Sequence, residues 1–279
     1  MTDRMAETAP PERGTTTSAD GTEIAFERSG SGPPLVLVYG NSDVQQFWEL
    51  AGVRPAFAEH CTVYAIERRG RGESGDAGAY QLRREAEDVS AVVDSIDDPV
   101  TLLGHSGGAL YSLEAARRTD NLCRLVLYEP PIHVGNHESD VEAEITEMTG
   151  LLADGANEEA LVLFLRDVAG LTRTEIDAAR SEPIWREMVD AAHLLPRELE
   201  AIVEYEFDAA RFAATSVPTL LLSGSESPPV YRDATNALDD ALPNSQIALF
   251  EGEEHAAMLT APDRFVDEVL AFTREAGKP

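Results

Sequence analysis

The chain has almost no lysine and a large excess of acidic residues. Lysine occurs once, at Lys278, and the 279 residues carry 51 Asp plus Glu against 22 Lys plus Arg, a formal net charge of −29. The acidic residues are spread along the chain rather than gathered in a tail, so they predict a solvated acidic surface. Such a surface repels nucleic acid and anionic membranes, and we expect neither as a partner.

Two explanations fit this charge balance. A genome of high GC content explains the shortage of lysine, whereas adaptation to high salt also explains the excess of acid. Like charges repel one another across the surface unless salt screens them. Because a shortage of lysine does not by itself require extra acid, the composition favours an acidic, halophilic protein.

Long apolar runs are missing as well. No stretch is long enough to predict a transmembrane helix. Residues 1–14 are polar, contain Pro10 and Pro11, and lack the apolar region of a signal peptide. We therefore expect a disordered tail over residues 1–14 and a cytoplasmic location.

Patterns for metal or nucleotide binding are also missing. The sequence contains no H-E-x-x-H, C-x-x-C or Walker motif. Residues 70–75 fit G-x-G-x-x-G after a strand, but a dinucleotide site needs an acid at the end of the next strand. Here the acidic residues 94–98 precede that strand instead. We therefore expect no cofactor and no metal.

The segment Gly104-His105-Ser106-Gly107-Gly108 is the most informative part of the chain. It follows the apolar run 99–103 and opens a helix-like stretch over residues 109–116, with a serine at the apex of the turn. Glycines on both sides of the apex allow neighbouring elements to approach where a side chain would collide. G-x-S-x-G in this setting indicates a nucleophile elbow, which presents Ser106 above a helix N-terminus at the carboxyl end of a sheet.

Strand-like and helix-like segments alternate on both sides of this elbow. The alternation predicts an α/β fold with a mostly parallel central sheet flanked by helices. Between residues 132 and 216 the pattern changes to helical segments alone, and the alternation resumes at Val217. We therefore assign residues 15–131 and 217–279 to the α/β core and residues 132–216 to a helical insertion.

Several motifs in this order resemble the α/β-hydrolase superfamily. They are the strand and turn over residues 35–41, the loop Arg68-Arg69-Gly70-Arg71-Gly72-Glu73-Ser74-Gly75, the serine elbow, and a late strand followed by His255. The resemblance covers residues 20–130 and 215–275 and implies a hydrolase without a cofactor. It also implies that the helical insertion forms a cap over the active site.

A serine hydroxyl becomes a strong nucleophile only when a base removes its proton, and a carboxylate usually holds that base. His255 lies on a loop with Gly252 after the last strand, where the superfamily places its histidine. The usual acid position of the superfamily, after the strand that follows the cap, holds Ser227 instead. Glu226 lies one residue earlier and is a candidate for that role.

Glu129 is the second candidate acid. It ends the apolar strand that follows the elbow helix, a place where some members of the superfamily carry their acid. A glutamate at the end of a buried strand is unfavourable without a partner, and a histidine would supply one. This favours Glu129 over Glu226, although an ion pair with Arg68 or Arg69 would also explain a buried Glu129.

The resemblance places the oxyanion hole at the backbone N–H groups of Asn41 and Gly107. It implies a serine hydrolase that acts on a small-molecule ester or related acyl substrate through Ser106, His255 and a glutamate. A cofactor-free haloperoxidase or perhydrolase, a carbon–carbon bond hydrolase, and a binding protein that has lost catalysis remain alternatives. The sequence leaves the oligomeric state open.

Overall fold

The fold is built on one twisted sheet. The computed structural model describes residues 10–134 and 141–274. Its sheet has eight strands in the order β1-β2-β4-β3-β5-β6-β7-β8. The strands are β1 (Glu12–Thr17), β2 (Glu23–Gly30), β3 (Pro34–Val38), β4 (Thr62–Ile66), β5 (Val100–His105), β6 (Leu122–Tyr128), β7 (Thr219–Gly224) and β8 (Ser245–Phe250).

Strands β3 to β8 run parallel to one another, whereas β2 pairs antiparallel with β1 and β4. Every residue of β3 and of β5 is buried, because helices cover both faces of the sheet. The predicted α/β fold with a mostly parallel sheet is confirmed.

Helices form the layers on either side of the sheet and the segment between β6 and β7. The α-helices are α1 (Phe47–Leu50), α2 (Val53–Ala58), α3 (Leu82–Asp94), α4 (Gly107–Ala115), α5 (Glu142–Ala153), α6 (Asn157–Leu163), α7 (Arg173–Ala179), α8 (Trp185–Ala191), α9 (Leu195–Val203), α10 (Pro229–Ala241), α11 (Ala257–Thr260) and α12 (Pro262–Arg274). None of the helices within the described ranges is both long and apolar enough to cross a bilayer.

Each face of the sheet carries its own apolar core. Helices α3, α4 and α10 bury side chains such as Val89, Leu110 and Leu238 on one face. Helices α2 and α12 bury Phe57 and Phe265 on the other face. The elbow lies between these two layers, at the carboxyl ends of the parallel strands.

The predicted N-terminal tail is too long. Residues 12–14 begin β1, in which Glu12 pairs with Arg28 and Gly14 pairs with Phe26. The strand is a polar edge strand with no fully buried residue, so the sequence offers no apolar alternation to reveal it. Residues 1–9 of the predicted tail lie outside the described residues.

Two stretches of helix-like sequence, residues 47–57 and 174–195, are interrupted in the structure. The stretch 47–57 divides into α1 and α2 because Gly52 takes a left-handed conformation with a φ of 68°. The stretch 174–195 divides around Pro183, between α7 and α8. A proline removes a backbone donor and clashes with the preceding turn of a continuing helix.

The helices between β6 and β7 have a third apolar core of their own. Met148, Leu161 and Leu195 are buried in it together with Val44, which belongs to the loop that follows β3. Helix α9 also contacts α3 of the α/β core. These contacts place the helical insertion against the edge of the sheet where β3 ends.

Candidate active site

Ser106 sits at a strained turn between β5 and α4. Its backbone has a φ of 54° and a ψ of −126°, a conformation that L-residues rarely adopt. A Cβ atom on Gly104 would lie 2.4 Å from the Gly108 carbonyl oxygen, and one on Gly108 would lie 2.4 Å from the Val38 oxygen. The two glycines therefore allow the close packing that holds Ser106 at the apex.

Glu129 lies directly after β6, the strand beside the elbow strand, and its side chain is fully buried. One carboxylate oxygen accepts hydrogen bonds from the Ser223 hydroxyl at 2.9 Å and the Gly224 N–H at 2.7 Å. The other oxygen lies 2.7 Å from His255 Nδ1. The buried carboxylate thus has three hydrogen-bonding partners, as a charge in the protein interior requires.

The two arginines considered as partners of Glu129, and the alternative acid Glu226, do not contact Glu129 or His255. Arg68 pairs with Glu85 and Glu198, and Arg69 pairs with Asp88 and Asp20, so neither guanidinium meets Glu129. Glu226 is exposed, and its carboxylate accepts a hydrogen bond from the neighbouring Ser225 hydroxyl. Of the two glutamates, the structure brings only Glu129 to His255.

The His255 loop is held on both sides of the histidine. The Tyr128 hydroxyl donates to the Glu254 carbonyl and accepts from the Ala257 N–H at 3.2 Å. The Tyr231 ring stacks on the imidazole with 4.1 Å between centroids. With Nδ1 directed at Glu129, the imidazole Nε2 is the nitrogen left to accept a proton.

His105, the variable residue of the elbow, also anchors this loop. Burial, and secondarily the nearby His255, lowers the pKa of His105 to about 3, so the ring is neutral. Its Nε2 lies 2.9 Å from the His255 carbonyl oxygen. Because a carbonyl only accepts, the proton of the neutral ring is on Nε2, and Nδ1 is an acceptor.

Asn41 and Gly107 lie side by side, one after β3 and the other at the start of α4. A Cβ atom on Gly107 would overlap the Asn41 side-chain oxygen, which accepts a hydrogen bond from the Tyr111 hydroxyl at 3.2 Å. In the described part of the chain, neither backbone N–H donates a hydrogen bond. Two adjacent, unused N–H groups beside a serine can stabilise a developing oxyanion.

A second carboxylate borders the serine. A Cβ atom on Gly40 would lie 3.2 Å from both Asp43 Oδ2 and Ser106 Cβ, so both side chains flank this glycine. Burial raises the pKa of Asp43 to about 6, although the charges of His255, Arg71 and Arg68 oppose this rise. His105 Nδ1 lies 4.0 Å from the Asp43 carboxylate.

The sequence analysis did not identify Asp43, Tyr128 or the contact of His105 with the His255 loop. Tyr128 had a usable signal, because a tyrosine that ends a buried strand needs a partner for its hydroxyl. Asp43 lies two residues after Asn41, so its nearness to the site followed from the loop itself. His105 gave no signal, because its partner is a backbone carbonyl 150 residues away in the sequence.

No group of three or more His, Cys, Asp and Glu side chains within residues 10–134 and 141–274 is arranged to hold a metal ion. The serine, the histidine and the glutamate of this site are residue types that can serve as a nucleophile, its base and the group that orients the base.

The chain is similar to known proteins in sequence and in fold. Residues 35–268 match the sequence profile of the alpha/beta hydrolase family. A crystal structure of an alpha/beta hydrolase from Sphaerobacter thermophilus is 35% identical, with a TM-score of 0.80 over 93% of this chain and 100% of that one.

Two relatives carry the names of enzymes. A pimeloyl-[acyl-carrier protein] methyl ester esterase of Aeromonas hydrophila is 26% identical over 89% of this chain and 98% of its own. A non-heme haloperoxidase of Rhodococcus erythropolis is 27% identical over 92% of this chain and 97% of its own.

Proposed function

The chain belongs to the α/β-hydrolase family, and we propose that this hydrolase cleaves a small, uncharged ester through Ser106, His255 and Glu129. The observation that carries the proposal is the 2.7 Å contact between the buried Glu129 carboxylate and His255 Nδ1. The contact supports a role for His255 as the base, and Ser106 is held at a strained elbow at the end of β5, the strand beside β6. Nucleophilic acyl transfer needs a hydroxyl, an imidazole that takes its proton and a carboxylate that orients the imidazole.

In the first half of the reaction, Ser106 Oγ attacks the ester carbonyl carbon while His255 Nε2 takes the hydroxyl proton. The carbonyl oxygen becomes an oxyanion, and the N–H groups of Asn41 and Gly107 stabilise it. When the tetrahedral intermediate collapses, the bond to the alkoxy group breaks and His255 gives its proton to the leaving alcohol. An acyl-enzyme on Ser106 remains.

In the second half, His255 removes a proton from water, and the resulting hydroxide equivalent attacks the acyl-enzyme carbonyl. Collapse of the second tetrahedral intermediate releases the carboxylic acid and returns the proton to Ser106. Glu129 stabilises the imidazolium that forms in both halves without taking its proton. Its hydrogen bonds from Ser223 and Gly224 hold it in place for this role.

The charges around the serine support an uncharged substrate. The Asp43 carboxylate borders Ser106 on the side of Gly40, and the chain carries a formal net charge of −29. An anionic acyl group would meet repulsion both during approach and beside the nucleophile. We assign the helical insertion, which packs on Val44 of the same loop, to the role of a cap over this site.

One alternative has a specific observation in its favour. The relative from Rhodococcus erythropolis is a haloperoxidase, and it covers nearly the whole chain. The same serine, histidine and carboxylate could form a peracid from an acyl-enzyme and hydrogen peroxide. The alternative therefore differs in the molecule that attacks the acyl-enzyme, not in the residues.

The test is hydrolysis of p-nitrophenyl esters of graded acyl length, at low and at molar KCl, by the full chain and by Ser106→Ala. We expect turnover by the wild type, strongest for short or medium neutral acyl groups, and none by the variant. A half-ester of a dicarboxylic acid should react more slowly than the neutral ester of equal length.

Added hydrogen peroxide distinguishes the two chemistries. A perhydrolase would pass the acyl group to hydrogen peroxide and form a peracid. The peracid would oxidise bromide to hypobromite, which would brominate monochlorodimedone, whereas an esterase would not cause this bromination. A folded wild-type protein that neither turns over an ester nor becomes labelled at serine by a fluorophosphonate would overturn the proposal and favour a binding role.

A further inference from the structure

Two buried arginines donate hydrogen bonds to the carbonyl groups on either side of Asn41. Arg68 Nη1 donates to the Gly40 oxygen at 2.9 Å, and Arg71 Nη2 donates to the Asn41 oxygen. Both arginines are buried, with 1% and 4% of their surface exposed. The loop after β4 thus holds the backbone of the loop after β3.

The Gly40 carbonyl belongs to the same peptide group as the Asn41 N–H. In a trans peptide these two groups point in opposite directions, so a donor on the Gly40 oxygen leaves the N–H side clear. A charged donor on a carbonyl polarises the peptide, and hydrogen bonds in series strengthen one another. The Arg68 contact therefore both orients the Asn41 N–H and makes it a stronger donor.

The helical insertion supplies the charge that keeps the two arginines together. Glu198 of α9 accepts from Arg71 Nη1 at 2.5 Å and lies 3.1 Å from Arg68 Nη2. Glu85 of α3 forms a two-point pair with Arg68, at 2.7 and 3.1 Å. Without these carboxylates, two neighbouring buried cations would repel each other and remain desolvated.

We propose that Arg68 and Arg71, held by Glu198, are positioning residues for the hydrolysis. Arg68 fixes and polarises the Gly40–Asn41 peptide, whose N–H stabilises the oxyanion, and Arg71 holds the following peptide through the Asn41 carbonyl. The inference rests on the proposed function, and it makes the helical insertion part of the catalytic machinery as well as a cover. Arg68 acts only through the peptide and never touches the substrate.

The first test compares Arg68→Met with Arg69→Met. Arg69 is an equally buried arginine of the same loop, but it pairs with Asp88 and Asp20 and has no hydrogen bond to Gly40 or Asn41. Loss of a direct oxyanion donor lowers kcat by about 10²–10³, so loss of its polarising partner should lower kcat by roughly tenfold. KM should change little, because the ground-state carbonyl depends less on this donor.

A second readout separates positioning from general loss of structure. An alkyl trifluoromethyl ketone forms an adduct with Ser106 that carries an oxyanion, so its inhibition constant reports on the same N–H group. In Arg68→Met this constant should rise by the same factor by which kcat/KM falls. In Arg69→Met the melting temperature should fall, while kcat and the inhibition constant stay close to the wild type.

Glu198→Gln tests the arrangement if Arg68→Met does not fold, because it keeps the side-chain shape and removes only the charge. It should lower kcat and raise the inhibition constant, each by a smaller factor than in Arg68→Met. If Arg68→Met folds and its kcat and inhibition constant equal those of the wild type, the inference is wrong although the esterase activity stands. If Arg68→Met does not fold, the same result in Glu198→Gln overturns the inference. A folded wild type that shows neither turnover nor labelling overturns the proposed function and this inference with it.

Discussion

Replacing Asp43 with asparagine should stabilise the protein at neutral pH. The Asp43 side chain is 14% exposed, and within residues 10–134 and 141–274 it forms no ion pair with an arginine or lysine. Burial raises its pKa from 3.8 to about 6, which means that the folded state binds the proton more tightly than the unfolded state. Ionisation of Asp43 above pH 6 therefore opposes folding.

The size of the effect follows from the two pKa values. The folded pKa of about 6 lies roughly two pH units above the unfolded value of 3.8, and each unit corresponds to about 1.4 kcal/mol. The raised pKa thus lowers the free energy of unfolding by about 3 kcal/mol at pH 8. At pH 4.5, where Asp43 is mostly ionised in the unfolded chain but protonated in the folded protein, the loss is about 1 kcal/mol. Below the unfolded pKa both states are protonated, and the penalty disappears.

The assay is urea unfolding of wild type and Asp43→Asn at pH 4.5 and pH 8, at one fixed ionic strength. The variant should gain stability at pH 8, and about two thirds of that gain should be lost at pH 4.5. Asp97→Asn is the matched control, because it removes one exposed acid from the same chain and should change stability by less than about 0.5 kcal/mol.

The groups around Asp43 can accommodate the asparagine of Asp43→Asn. They are His255, Arg71 and Arg68, the Gly40 backbone, and His105 Nδ1, an acceptor to which an asparagine N–H could donate. A variant that is no more stable than the wild type at pH 8 would refute the reasoning. A gain of equal size at both pH values would do so as well, because it would not come from ionisation.

Three further predictions concern the triad, the elbow and the surface. Glu129→Gln should lower kcat by about 10³–10⁴ because the neutral amide no longer stabilises the imidazolium, whereas Glu226→Gln should change it less than about twofold in the same ester assay. Equal losses in the two variants would contradict the assignment of Glu129. Ser106→Gly should abolish turnover yet raise the free energy of unfolding by about 1 kcal/mol, because glycine adopts a φ of 54° without strain. A variant less stable than the wild type would show that the Ser106 backbone does not store this strain. The melting temperature at neutral pH should rise from dilute buffer to molar KCl, since screening shortens the reach of charge repulsion from about 10 Å at 0.1 M to about 3 Å at 1 M. A flat or falling melting temperature would leave codon bias as the simpler explanation of the missing lysines.

Local features of the site could be predicted from the sequence, because their signals lie within a few residues. The elbow pattern predicts that no side chain fits at Gly104 or Gly108, and in the structure a Cβ atom at either position would lie 2.4 Å from a backbone oxygen. Glu129 could be singled out because a carboxylate at the end of an apolar strand needs a partner. The partner is His255, 126 residues further along the chain.

Features that depend on distant contacts could not be predicted in this way. Glu198 reaches Arg71 across 127 positions, and nothing in helix α9 marks this glutamate among its acidic neighbours. The edge strand β1 lacks apolar alternation, so a polar strand and a polar tail look alike in sequence. The break at Gly52 is a single left-handed residue in an otherwise helical pattern.

The central claim is that Glu129 and His255 activate Ser106 as a nucleophile. The most direct measurement is the rate of covalent labelling by a fluorophosphonate, with the modified peptide identified by mass spectrometry. We predict one label per chain on Ser106 in the wild type, much slower labelling in Glu129→Gln, and none in Ser106→Ala. A folded wild type that takes no label, or a Ser106→Ala variant that is labelled as fast as the wild type, would contradict the account.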